Sequence, residues 1–209
     1  MARTFTSGIP LAVASLALLA ACGSVPKAAP GYASHDFGPF DKGVVRAAVL
    51  PIRHVEVVSA PWLASTAMQY RLLYAQPTRR QSFLENRWAA PPAQLVELAA
   101  RRAIRADSAG MPTGACRLRI ELDEFAQLFD SEASSRGVVE ARVALLAPRG
   151  DQLIALRSFS VSWPAPSPNA VGGVVALREG VGAMSREVLD WLEALAAQAG
   201  SGLAARCGA

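Results

Sequence analysis

Histidine, lysine and cysteine are all scarce in this 209-residue chain, and each scarcity excludes a class of chemistry. There are two histidines, His35 and His54, and no Cys/His set has the spacing of a zinc site. No serine sits in a Gly-X-Ser-X-Gly elbow, and no glycine-rich loop precedes a Lys-Ser/Thr pair. The chain is therefore read as non-enzymatic, with no cofactor and no metal. Glu121, Asp123 and Glu124 do cluster, but beside Arg117 and Arg119 they read as a solvated strand edge rather than paired catalytic acids. Lys27 and Lys42 are the lysines; the other basic residues are arginines, spread along the chain, and with the abundant alanine they reflect a GC-rich genome. A net charge of +4 without a basic block gives no nucleic-acid surface. Long apolar runs are also missing. The run from Ile9 to Ala20 is too short to cross a hydrocarbon layer of ~30 Å as a helix.

That short run has another use. Arg3 precedes it, and Leu19-Ala20-Ala21-Cys22 ends it with a branched apolar residue, two small residues and cysteine. This is the bacterial lipobox on an export signal. The cysteine sulfur carries the diacylglycerol thioether, and the small residues admit the signal peptidase. Residues 1–21 are expected to be removed, leaving Cys22 as the lipid-modified N-terminus. Residues 22–43, rich in Pro, Gly and Ala, read as a tether. Gly23, where aspartate would signal retention in the inner membrane, points to the periplasmic face of the outer membrane.

What remains suits one domain over residues 44–199 and a tail over 200–209. Residues 44–52 read as a buried strand, 53–67 as a connection, and Met68–Tyr74 as a second strand. Pro77–Trp88 reads as a polar loop carrying Arg79, Arg80 and Arg87. Pro91-Pro92 opens a helix running to about Asp107, with Leu95, Leu98, Ala99 and Ala103 on its apolar face. Three strands in an antiparallel meander follow. In the first, apolar parity slips at Asp123-Glu124, which predicts a bulge. A closing helix of about 28 residues carries Leu177, Val181, Met184, Val188, Trp191 and Leu195 as one stripe. The expected fold is an α+β two-layer sandwich, a mostly antiparallel sheet of about five strands with both helices on one face.

Two readings stay open at several positions. Cys116 and Cys207 either form a disulfide that clips the tail to a strand or remain separate thiols. Trp88 either anchors the helix start in the core or offers an apolar surface. Arg79, Arg80 and Arg87 either face an acidic partner or lipid head groups, or simply lie in solvent.

Taken in order, several segments resemble the ABC-type transport auxiliary lipoproteins. These are Met68-Gln69-Tyr70-Arg71, Glu85-Asn86-Arg87-Trp88-Ala89-Ala90-Pro91-Pro92, Leu118 to Phe125 with its acidic-Phe ending, Ala141 to Phe159, and Ala170 to Leu192. The resemblance covers nearly all of residues 44–195. It implies a non-enzymatic accessory of a lipid-transport system whose partner is a membrane-anchored MCE-domain protein bridging the periplasm. It also implies self-association into rings. The family brings no catalytic residues, and Arg87, Trp88, Pro91 and Pro92 are the candidate partner surface. An outer-membrane assembly or secretion lipoprotein acting on a β-barrel is the competing reading, since fold alone does not separate the two.

Overall fold

A computed structural model describes residues 31–39, 48–104, 114–198 and 202–208. The export signal, Cys22 and residues 44–47 of the expected first strand lie outside the described residues.

Among the described residues seven strands form a single sheet: β1 (Ala33–His35), β2 (Ile52–Ser59), β3 (Ala67–Leu72), β4 (Gln76–Trp88), β5 (Cys116–Phe129), β6 (Ser135–Leu146) and β7 (Leu153–Pro164). Two long helices, α1 (Pro92–Ile104) and α2 (Ala170–Ala197), pack on this sheet, and a one-turn helix, α3 (Leu203–Arg206), follows. The α+β architecture matches expectation, but the sheet has seven strands and is mixed. β1 with β4, β2 with β5 and β3 with β5 pair in parallel; β3–β4, β5–β6 and β6–β7 pair antiparallel.

The extra strands come from segments the sequence reading left irregular. β2 starts at Ile52, where the strand expected over residues 44–52 was to end. Proline has no N–H for a ladder, whereas Pro51 still uses its carbonyl to accept from Cys116 N. Ile52, Val55 and Val57 then turn inward, so the expected connection is β2. The supposed polar loop at Pro77–Trp88 is the body of β4, thirteen residues long. It lies at the sheet margin and shows solvent on most positions, so it lacks the apolar alternation that marks a half-buried strand. β1 comes from the stretch read as tether, and Phe37 just beyond it is buried against Trp88 and Phe125.

β5 organises the sheet. β6 runs along one of its edges from Arg117 to Phe129. The other edge is divided: β2 pairs with Cys116–Leu122 and β3 with Gln127–Phe129. Between these partners the register shifts at Leu122/Glu124, the expected bulge. Before it Leu118, Ile120 and Leu122 face the core; after it Phe125 and Phe129 do.

α1 begins with Pro92, whose missing N–H costs nothing in a first turn. It buries Leu95, Val96, Ala99, Ala100, Ala103 and Ile104, while Leu98, expected on this face, is 48% exposed. The side chain of Asn169 caps α2 by accepting from Gly172 N at 2.9 Å. Val181, Met184, Val188 and Trp191 of the expected stripe are buried, and Leu195 is half-buried.

α2 also packs unusually close to the sheet. A Cβ on Gly137 of β6 would meet the backbone of Ala176 and Leu177 at 2.8 Å, and one on Gly173 would strike Gln127 Oε1 at 2.1 Å. Gln127 is buried, and its Nε2 donates to Ser135 Oγ (2.8 Å) and to Asn169 O (3.1 Å). Cys116 and Cys207, 91 positions apart in sequence, are joined by a disulfide with Cα atoms 4.8 Å apart. Together with buried Leu203 it fixes the tail to the start of β5. Closing a loop of this length stabilises by ~4–5 kcal/mol in the chain-entropy model.

Because α2 sits on Gly137 without a side chain between, Gly137→Ala is expected to lower stability by about 1–3 kcal/mol. Urea denaturation followed by far-UV circular dichroism measures it.

Candidate functional site

The bulge in β5 places its acids in two different settings. Glu121 and Asp123 point to the solvent side, where both pair with Arg142 at 2.9 and 3.0 Å. They are not neutralised by Arg117 and Arg119, as their closeness in sequence suggests. Arg117 pairs with Asp151 at 3.0 Å, and Arg119 pairs with Glu56 of the neighbouring β2 at 3.1 Å. Glu124 is different. Its side chain is only 16% exposed, and that of Arg80 on β4 is 19% exposed.

The two form a fork: Arg80 Nη1 donates to Glu124 Oε1 and Nη2 to Oε2, both at 2.7 Å. Arg71 Nη2 of β3 adds a longer contact at 3.4 Å, and Phe125 N–H donates to Oε1 at 3.0 Å. Arg80 also donates to Gln69 Oε1 at 2.7 Å, while Gln69 Nε2 donates to the carbonyl of Trp62 at 2.5 Å. Trp62 lies in a 3-10 turn, Pro61–Leu63, between β2 and β3, and the Arg80 guanidinium stands 5.7 Å from its ring centroid. One cluster thus ties the margin strand, its inner neighbour, the central strand and the intervening turn. Burial alone would push the Glu124 carboxyl up, but the Arg80 fork, the Phe125 amide and Arg71 together hold it below the usual glutamate range. The carboxylate stays ionised with both oxygens engaged, so it is a fastening and not an acid–base group.

The four residues of the expected partner surface are not all exposed. Trp88 is 2% exposed, its ring set among Phe37 (5.8 Å) and Phe125 (5.5 Å), and Pro92 is buried in the first turn of α1. The core reading of Trp88 holds, because an indole beside two phenyl rings gains far more from burial than from a place at the surface. Arg87 is exposed, with its guanidinium 4.3 Å from the ring centroid of Tyr32, and Pro91 is half-buried. Nor do Arg79, Arg80 and Arg87 form a basic loop. Arg79 bonds Gln76, Arg80 is sequestered by Glu124, and Arg87 stacks on Tyr32. His35 shares a 2.8 Å hydrogen bond with Asn86, and among the described residues no group of acids, histidines and cysteines could hold a metal.

A cleft of about 670 Å³ does open at this corner, from other residues. Asp36, Phe37, Gly38 and Pro39 form one wall; Ala89, Leu95, Leu98 and Arg102 form the other. Its floor is apolar, its rim carries one acid and one base, and Leu98 is turned toward it instead of the core. These residues come from distant parts of the chain, so no local pattern marks them. The sheet margin here is also uneven. α1 seals the outer edge of β2, where Glu97 accepts from Val57 N (3.0 Å) and Arg101 Nε donates to Val55 O (3.2 Å). On β4, β1 pairs only with Asn86–Trp88; Gln76–Glu85 form the margin, with Leu84 85% exposed. Pro77 and the arginines give that stretch the character of a guarded edge.

Glu124 has a lowered folded-state pKa, so its contribution is present above the ordinary glutamate pKa and is lost as pH falls through the folded value. Glu124→Gln is expected to cost about 1–3 kcal/mol near neutral pH. The gap from the parent should close as pH drops below about 4. Denaturant midpoints measured across pH give both quantities.

The family model for the ABC-type transport auxiliary lipoprotein component matches residues 45–189. Among solved structures, a Xanthomonas campestris protein of the DUF330 family superposes with a TM-score of 0.61 at 20% identity, over 74% of this chain and 94% of that one. A second, an uncharacterised protein, gives 0.60 at 14% identity, over 78% and 99%. At these identities both show the fold alone. No curated protein matches the chain. The family match spans β2 to most of α2, including the bulge, its ion pair and the α1 wall of the corner cleft, and on that basis the chain belongs to the ABC-type transport auxiliary lipoprotein component family.

Proposed function

We propose that this protein is a non-enzymatic, lipid-anchored accessory of an MCE/ABC-type intermembrane lipid-transport system. It docks the periplasm-spanning component at the outer membrane. The observation that carries this reading is the family match over residues 45–189, in a chain that also presents a lipobox at Leu19–Cys22. Diacylation of Cys22 supplies the anchor. Two acyl chains bury enough methylenes, at ~0.8 kcal/mol each, for lasting attachment. Nine residues lie between Cys22 and Tyr32, a span of at most ~35 Å. The domain therefore works close to the bilayer that holds it.

The contact surface we assign is the corner where the chain enters the domain. There Ala89, from the segment that carries Arg87 and Pro91, lines the cleft between Asp36–Pro39 and α1. Trp88 and Pro92 support it from within. An apolar floor with a charged rim suits a protein segment carrying an apolar anchor between polar flanks.

Fractionation tests the anchor first. Wild-type protein is expected in the outer-membrane fraction, and Cys22→Ser in the soluble periplasm. Cys22→Ser remaining with the membrane would contradict lipidation at this position. Mild-detergent purification of the wild-type protein from its own cells is expected to retain an MCE-domain protein. Leu98→Glu, at the exposed wall of the cleft, is expected to weaken that retention at least about tenfold without unfolding the domain. Repeated purification with a β-barrel protein and without an MCE protein would replace this reading with one in outer-membrane assembly.

A further inference from the structure

The far end of the sheet carries a second cleft, of about 390 Å³, lined by Gly114, Ala147, Pro148, Arg149, Gln152 and Arg206. Its two cations come from opposite parts of the chain. Arg149 sits in the β6–β7 turn, which Gly150 closes with φ +68°. Arg206 sits on α3, in the tail. Both are exposed, and among the described residues neither has an ion pair or side-chain hydrogen bond. The acid nearest Arg149 in sequence, Asp151, is engaged by Arg117 at 3.0 Å and by Arg119 at 4.0 Å. Among the described residues no acid lines the cleft.

Arg206 is not a freely swinging tail residue. Its neighbour Cys207 is fully buried in the disulfide to Cys116, and Leu203, one turn earlier, is in the core. On the other side Gly208, at φ +71°, lies against Gly114, where a Cβ would meet the Gly114 backbone at 2.9 Å. The backbone at Arg206 is thus fixed on both sides. Two guanidinium groups on one cleft, one of them brought there covalently, repel each other unless an anion lies between them. Guanidinium forks match phosphate oxygens in geometry, and Gln152 adds a neutral donor at the same wall.

We propose that this cleft binds a phosphate-class anion between Arg149 and Arg206. The chemistry is that of a phosphate monoester or diester, carried by a soluble phosphate compound or by a lipid head group. This site is separate from the corner cleft and does not depend on the docking role.

Two probes distinguish the sources. Pyrophosphate is titrated into the purified protein by calorimetry. Phosphatidylcholine vesicles with and without phosphatidylglycerol are tested by flotation, using protein with Cys22→Ser so that acyl chains play no part. Saturable binding of pyrophosphate assigns a soluble ligand, and flotation only with phosphatidylglycerol assigns a head group. Either is expected to weaken by about tenfold in Arg149→Gln and in Arg206→Gln, and to weaken with added salt. Both substitutions are at exposed positions, and unchanged thermal melts would establish that the fold is kept. Arg53→Gln, an exposed arginine outside the cleft, is expected to leave binding unchanged. Binding to neither probe would overturn the proposal, as would an equal loss in Arg53→Gln, which would mark attraction to general positive charge.

Discussion

The ion pair between Glu124 and Arg80 stands where the central strand changes the face it offers to the core. Up to Leu122, β5 sends its even-numbered side chains inward; from Phe125 it sends the odd ones. Without the extra residue the parity could not switch, and either Phe125 or Leu122 would be turned to solvent. The same irregularity ends the pairing with β2 and lets β3 begin farther along the same edge. A bulge that divides a strand in this way leaves an acid beside the break. Here that acid is fastened to β4 by a two-pronged contact from Arg80 and to β3 by a second cation, Arg71. Half-buried charges are costly when single and tolerable only when paired, so the three strands hold their relative positions or the pair is lost.

A second constraint acts on the helical layer. α2 lies against β6 through glycine and alanine, which brings backbone to backbone at Gly137. Close approach gains dispersion contacts over many atoms and leaves room for the buried Gln127 network beneath the helix start. The ends of the described domain are fixed by different means. Phe37 inserts beside Trp88 and Phe125 at the N-terminal side, and the disulfide with Leu203 secures the C-terminal side. Segments that composition marks as tether and tail therefore contribute walls to both clefts.

How much of this was legible in the sequence follows from what each residue contacts. The meander, the bulge and the closing helix were readable because their side chains alternate between core and solvent with a fixed period. β4 was not, because a margin strand with both faces largely wet has no such period, and its single buried end, Trp88, looks the same as a helix anchor. β2 was misplaced by the strand-like run of residues 44–52, in which Pro51 has no N–H for a ladder. Arg80 shows most clearly what local reading misses. Among Arg79, Arg80 and Arg87 nothing in sequence distinguishes the one whose partner lies 44 residues away on another strand. The expected surface segment is likewise only partly exposed. Its segment does reach the corner of the domain, but Trp88 and Pro92 support that corner from beneath while Leu98 and Arg102 face outward.

Within a largely apolar core, a half-buried ion pair fastens the strands. The Glu124–Arg80 contact couples β4 to β5 across the bulge. A double-mutant cycle measures that coupling directly, with Arg80→Gln, Glu124→Gln and the double variant compared by denaturant unfolding at neutral pH. A coupling energy of at least ~1 kcal/mol is the predicted result. Single-variant effects that add to within about 0.3 kcal/mol would contradict the account.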